Sequence, residues 1–239
     1  MAGTAADMAM DINTDATAAG GTALVRLLHL VSPSLPVGAF AYSQGIEWAV
    51  EAGWLRTAGD VDGWLREQLE QSVARLDLPL LLRMHAGVDD PDALDGWIDL
   101  LLAGRETAEL RAEESQRGRA LADLLAALAL PGASDRRAQL ARSQTAGFAF
   151  AAQRWGIAPR AMVAGYAWAW AESLVLAAVK IVPLGQTAGQ QLLAALADAI
   201  PAAVEAALTL ADDDIGASSP ALAIASSRHE TQYTRLFRS

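Results

Sequence analysis

Residues 161–182, AMVAGYAWAWAESLVLAAVKIV, limit the fold of this chain more than any other stretch. A run this apolar has to be removed from water, either in lipid or beneath other parts of the chain. A membrane helix needs roughly 20 apolar residues in succession. Here Glu172 and Lys180 interrupt the run, and the longest charge-free piece, Ala161 to Ala171, has 11 residues. The expectation is a central buried helix in a bundle. Lys180 lies near its C-terminal end, where a cation suits the negative pole of the helix dipole.

The remaining segments read as helices able to cover that one. Thr22–Val31 carries Leu24, Leu27, Leu28 and Val31 on one face, with His29 on the opposite edge. Ser43–Ala52 is helical and stops at Gly53. A helix beginning at Asp60 repeats Leu65, Leu69, Val73 and Leu76 at helical spacing, and Pro79 is expected to kink or end it. Asp90-Pro91 is a cap followed by a first-turn proline, opening a helix with the stripe Leu94, Trp97, Ile98 and Leu101. One helix is expected from about Ser134 to Trp155, another from Pro159. Ala194–Leu210 should form one or two short helices broken around Pro201. No strand pattern and no internal repeat is found, so the fold class is all-α, a single-domain helical bundle. Residues 1–21 read as a disordered acidic leader, 22–227 as the helical domain and 228–239 as a C-terminal docking tail.

Composition removes several functions. The formal net charge is −10, which disfavours nucleic acid as a partner. There is no Cys, hence no thiolate nucleophile and no Cys-based zinc site. The three histidines, His29, His85 and His229, have no metal-ligand spacing among them. The start of the chain lacks the basic and apolar regions of a signal peptide, so a cytoplasmic protein is expected. No Ser/His/Asp set and no phosphate loop is present. No catalytic residue, cofactor or metal ligand is therefore assigned.

Four segments exceed what a plain bundle needs. Val31–Trp48, VSPSLPVGAFAYSQGIEW, joins a stiff Pro/Gly turn to Phe40, Tyr42 and Trp48. Arg105–Arg119, RETAELRAEESQRGR, holds four arginines and four glutamates and has i,i+4 pairs Arg105–Glu109 and Glu113–Arg117. Gly118 within it costs about 1 kcal/mol against Ala, which points to a close helix–helix or partner approach. Pro183–Gln190, PLGQTAGQ, reads as a polar turn. The last twelve residues, RHETQYTRLFRS, carry three Arg against one Glu with Tyr233, Leu236 and Phe237 among them. Aromatic and Arg side chains together suit a docking surface.

These segments, in this order, resemble the UreF family of urease accessory proteins: LVSPSLPVGAFAYSQGIEWAVEAGW, RETAELRAEESQRGR, VKIVPLGQTAGQ and SSRHETQYTRLFRS. The resemblance spans roughly residues 24–239. It implies an all-α homodimer that assembles with the accessory protein UreD (UreH in some species) and the GTPase UreG. That complex delivers nickel to apo-urease, with no catalysis by the scaffold itself. It implies a partner-binding role for Tyr42, Gly45 and Glu47 in the first segment and for Lys180, Pro183 and Gln186 in the third. The same holds for Arg228, His229, Glu230, Tyr233, Arg235, Leu236 and Phe237 in the last. Arg105, Glu109, Arg111 and Arg117 match a region expected at the dimer interface. Ala41 stands where the family often has a hydroxyl. On this reading Tyr42 and Glu47 face outward. The competing reading is a helical small-ligand binder or enzyme with a pocket near Trp168 and Glu172.

Overall fold

The computed structural model of the chain describes residues 20–216 and 219–239. The expected leader lies outside them, except that residues 20 and 21 already belong to the first helix, α1, residues 20–30. The other helices are α2 (Ile46–Glu51), α3 (Ala58–Gln68), α4 (Leu78–Ala86), α5 (Pro91–Ala103), α6 (Ala108–Ala127), α7 (Arg137–Leu140), α8 (Gln144–Arg154), α9 (Pro159–Ile181), α10 (Gln186–Thr209) and α11 (Pro220–His229). A π-helical segment, Leu69–Asp77, joins α3 to α4 without a break. No strand occurs among the described residues, and the architecture is all-α.

Helix starts follow local chemistry. Asp90 caps α5 by accepting from the N–H groups of Asp92 and Ala93. Thr57 and Asp60 form a reciprocal capping box at α3. Gly53, at φ 76°, closes the turn after α2.

The most apolar helix, α9, is the spine. Two clusters of buried side chains fill the interior. Leu80, Leu81, Met84, Leu94, Ile98, Leu101, Leu121, Leu125, Phe148 and Phe150 join Met162, Val163 and Ala167 from the first half of α9. Ile46, Ala49, Val61, Leu65, Leu192, Leu193 and Leu196 join Ala171, Leu174, Val175 and Ala178 from its second half. By length and hydropathy alone, α9 and α10 could each cross a membrane. In the fold, both contribute side chains to these clusters, as core helices do.

Five expectations need correction. The stripe expected on α1 is only partly buried: Leu27 and Leu30 point inward, while Leu24, Val25 and Leu28 are exposed. Pro79 does not end the helix. A proline there cannot donate to the carbonyl of Arg75, and the N–H of Gly216 donates to that oxygen at 3.2 Å. Pro201 likewise lies inside α10, which runs unbroken from Gln186; burial of Ile200, Ala203, Val204 and Ala207 around it outweighs one lost backbone bond. Hence PLGQTAGQ is mostly the first turn of α10 rather than a loop. The single helix expected over 134–155 is two, α7 and α8, because the hydroxyl of Ser143 accepts from Ala146 N–H and starts α8 anew.

Candidate interaction site

The C-terminal segment does not project from the bundle. It folds back onto the turn before α2 and onto the first half of α6. Glu47 is the anchor. Its carboxylate accepts from the backbone N–H of Leu236 at 2.6 Å and of Phe237 at 2.9 Å. It also lies 3.2 Å from His229 Nε2, while His229 Nδ1 lies 2.6 Å from Glu109 Oε2. His229 is fully buried. Its two nitrogens face two carboxylates, and both can donate only in the imidazolium form. Arg235 pairs with the other oxygen of Glu109 at 2.5 Å.

Further strands of contact extend this seam. The backbone N–H of Arg238 donates to the carbonyl of Ala41 at 2.8 Å. Ser43 donates its N–H and its hydroxyl to the carbonyl oxygen of Ser239. Ser239 in turn donates to Glu113 at 3.0 Å. Glu230 accepts from the N–H groups of Ala108 and Glu109, the otherwise unpartnered first donors of α6. Gly45, at φ 80°, has Ala225 Cβ 3.0 Å from where its own Cβ would stand, so a side chain there would push α11 away.

Tyr42 and Glu47 therefore face inward, against expectation. Both are buried. Tyr42 donates to Gln116 at 2.8 Å. Burial, and then the nearby Glu113 carboxylate, raises its phenol above the ordinary value. At Ala41 the contact to the last segment is made by the backbone carbonyl, which needs no side-chain hydroxyl. Of the last segment, His229 and Phe237 are buried, while Arg228, Glu230, Arg235 and Leu236 are exposed and Tyr233 is fully so. Lys180 is exposed and sets its ammonium 5.7 Å from the Phe237 ring centre. Pro183 and Gln186 are exposed at the start of α10. Thus the first and last segments meet, Lys180 of the third reaches Phe237, and Phe40, Tyr233 and Leu236 are exposed apolar side chains of these segments.

Much of the charged run is a partly buried ion network. Glu113 and Arg117 form their expected pair at 2.9 Å. The pair Arg105–Glu109 does not form, because Arg105 precedes α6 and turns inward. It reaches Asp77 at 2.5 Å and Glu114 at 3.1 Å. Glu109 is taken by His229 and Arg235. Only Arg111 of the four residues expected at a dimer interface is exposed. Glu114 also accepts from Ser143 Oγ at 2.7 Å and from Thr145 N–H at 2.9 Å. Asp77, the residue that sequence reasoning missed, comes from the end of the π segment. Its only signal was an acid in an otherwise apolar stretch.

Above this network lies a cavity of ≈ 180 Å³ whose lining includes Trp170, Glu172 and Lys180 but not Trp168. Burial raises the Glu172 carboxyl above its ordinary value. Among the described residues no group of three His, Cys, Asp or Glu side chains could hold a metal ion.

The Glu47 anchor makes a direct prediction. A hydrogen bond to a charged acceptor contributes roughly 1.5–3 kcal/mol. With Glu47→Gln the amide hydrogens of Leu236 and Phe237 should exchange with solvent about ten- to a hundredfold faster, with the core unchanged. Equal exchange rates in the two proteins would show that Glu47 does not hold the segment.

The chain is similar in sequence to known proteins. The UreF family model matches residues 55–197. A urease accessory protein UreF of Pseudomonas putida strain W619 is 53% identical over 219 residues, covering 91% of this chain and 98% of the relative. That of Alcanivorax borkumensis is 51% identical over 228 residues, covering 91% and 99%. That of Alkalilimnicola ehrlichii is 48% identical over 221 residues, covering 92% and 97%. On a full-length match of this closeness, the chain belongs to the UreF family of urease accessory proteins, whose role is accessory rather than catalytic.

Proposed function

We propose that this protein is a cytoplasmic, non-catalytic scaffold of urease maturation. As a homodimer it assembles with UreD (or UreH) and the GTPase UreG, delivers nickel to apo-urease and regulates the GTPase step. Nickel is cargo here, and no residue is assigned to hold it.

One observation carries this reading. The C-terminal segment is fastened by Glu47, Glu109 and Glu113, yet it leaves Tyr233 and Leu236 in water, as the first segment leaves Phe40. Holding apolar side chains outward on a fixed segment is costly unless a partner covers them. Arg228, Arg235 and Arg238 of the same segment are exposed and suit an acidic or carbonyl-rich partner surface. Lys180, beside Phe237, and the exposed Pro183 and Gln186 suit a second partner.

Deleting the whole segment is a poor test, because His229 and Phe237 are buried and their loss would disturb the bundle. Exposed positions separate binding from folding. The double change Tyr233→Ala, Leu236→Asp should leave the melting temperature within about 1–2 °C, since surface substitutions usually stay within ±0.5 kcal/mol. The same protein should no longer co-purify with co-expressed UreD. Retained co-purification at unchanged stability would sink the proposal for this surface.

A further inference from the structure

We propose that the groove between α4, α5 and the end of α10 is a docking site for a basic amphipathic helix of a partner protein. None of the residues assigned to the surface above takes part in it. The groove is open and has a volume of ≈ 560 Å³. Leu82 of α4, Trp97 of α5 and Leu208 of α10 line it. All three are half-buried and rest on the core beneath. The floor is therefore apolar and fixed from below. Among the described residues the Trp97 indole N–H has no hydrogen-bond partner. Tryptophan with an apolar body and a free polar tip is enriched at interfaces.

The groove continues along α5. Successive helical residues turn by about 100°. Leu94, Ile98 and Leu101 are buried and mark the inner face. Around one flank from there follow Trp97, Ala93, Leu100 and Gly96, none of them charged. Leu100 is 38% exposed. Gly96 is exposed in the interior of the helix, and a Cβ there would meet nothing within 4 Å. Glycine weakens a helix interior, and no neighbour in this fold needs its side chain to be absent. A backbone approaching closely from outside does need it. The opposite flank carries Asp95 and Asp99, both tied to Arg142.

Charge selects the occupant. Arg83, the cation of the groove lining, is engaged by Asp212 at 2.7 Å and by the carbonyl of Leu210 at 2.6 Å. Asp212 opens the turn Asp212–Asp214. Asp213 and Asp214 are exposed and join no ion pair among the described residues. That rim is thus acidic and not neutralised. A second copy of this chain would bring the same acidic rim and no matching cation. A helix with leucine-like side chains on one face and Lys or Arg at its edges fits instead. Its apolar face fills the groove over Trp97, its backbone passes Gly96, and its cations meet Asp213 and Asp214.

The test is an NMR titration of the full chain with a leucine–lysine peptide that forms an amphipathic helix, beside its leucine–glutamate counterpart. The lysine peptide should give saturable one-to-one shifts of the Trp97 indole signal. Gly96→Gln fills open space and favours the helix, so it should fold as the wild type does, yet weaken binding by at least about fivefold. Asp213→Lys with Asp214→Lys, on the exposed turn, should weaken it by about tenfold or more. Reversal of two exposed acids elsewhere, Glu70→Lys with Glu106→Lys, should change it by less than about twofold, because salt screens distant charges. An equal loss there would mean attraction to the net charge only and would overturn the proposal. So would equal binding of the glutamate peptide, shifts that leave Trp97 unmoved, or undiminished binding by the Gly96→Gln protein.

Discussion

Arg105→Met should lower the melting temperature by about 6–20 °C. The guanidinium bridges Asp77, at the end of the π segment, and Glu114, on α6. Their side chains are 7% and 6% exposed. Methionine matches the length of the stem but leaves two carboxylates facing each other without a cation. Breaking a buried ion pair on one side costs about 3–5 kcal/mol, and each kcal/mol moves the melting point of a domain this size by about 2–4 °C. Thermal unfolding followed by circular dichroism measures the change. Adding Asp77→Asn and Glu114→Gln should recover most of it, because the residual like charge is then removed. A drop below about 2 °C in the single variant would mean that water already screens the trio. Acid gives a second view of the same interaction. Burial pushes the Glu114 carboxyl up, but Arg105, the Thr145 N–H and the Ser143 hydroxyl outweigh it and hold the group below its ordinary value. A lowered carboxyl adds stability that is complete above the ordinary glutamate range near ~4.3 and is lost as pH falls below it. In Arg105→Met the carboxyl is no longer held low by the cation, so this group's acid-induced loss should shrink, and acid should cost the variant less stability than it costs the wild type.

How much of this was legible beforehand depended on the range of the interaction. The caps at Asp90 and Gly53, the opening of α9 at Pro159 and the central burial of α9 are local, and periodicity and capping chemistry reveal them. The continuation through Pro79 is not local. It requires Gly216, far along the chain, to donate to the carbonyl that proline leaves free. The return of the C-terminal segment is longer in range still, joining Leu236 and Phe237 to Glu47. A basic aromatic end therefore read as projecting when half of it is structural. In the charged run, i,i+4 spacing paired Arg105 with Glu109, whereas Arg105 reaches Asp77 and Glu114. The deciding partner, Asp77, stood 28 residues before Arg105. The family resemblance located the segments that meet, but which of their side chains point inward followed only from packing.

Gly118→Ala should destabilise the protein, although helix propensity alone predicts the opposite. Ala gains about 1 kcal/mol over Gly in the interior of a helix such as α6. A Cβ at 118, however, would stand 2.7 Å from the carbonyl carbon of Ser143, 2.8 Å from its nitrogen and 2.9 Å from the nitrogen of Gln144. All three are backbone atoms and cannot rotate away. Overpacking of this kind typically costs about 1–3 kcal/mol, occasionally more. Here the displaced backbone is also the start of α8. Ser143 caps that helix and donates to Glu114, one turn before Gly118, and the N–H of Thr145 donates to the same carboxylate. Moving Ser143 outward lengthens both bonds to a buried acid, which is the more expensive consequence. The clash and the weakened acid should together exceed the propensity gain, leaving a net loss of about 2–4 kcal/mol and a fall of roughly 4–16 °C in melting temperature. The Glu114→Gln background separates the two causes. If the bonds to Glu114 carry most of the effect, adding Gly118→Ala there should cost distinctly less than in the wild type. A stabilised Gly118→Ala protein would mean that α6 and α8 do not approach this closely, and the buried network between them would have to be redrawn.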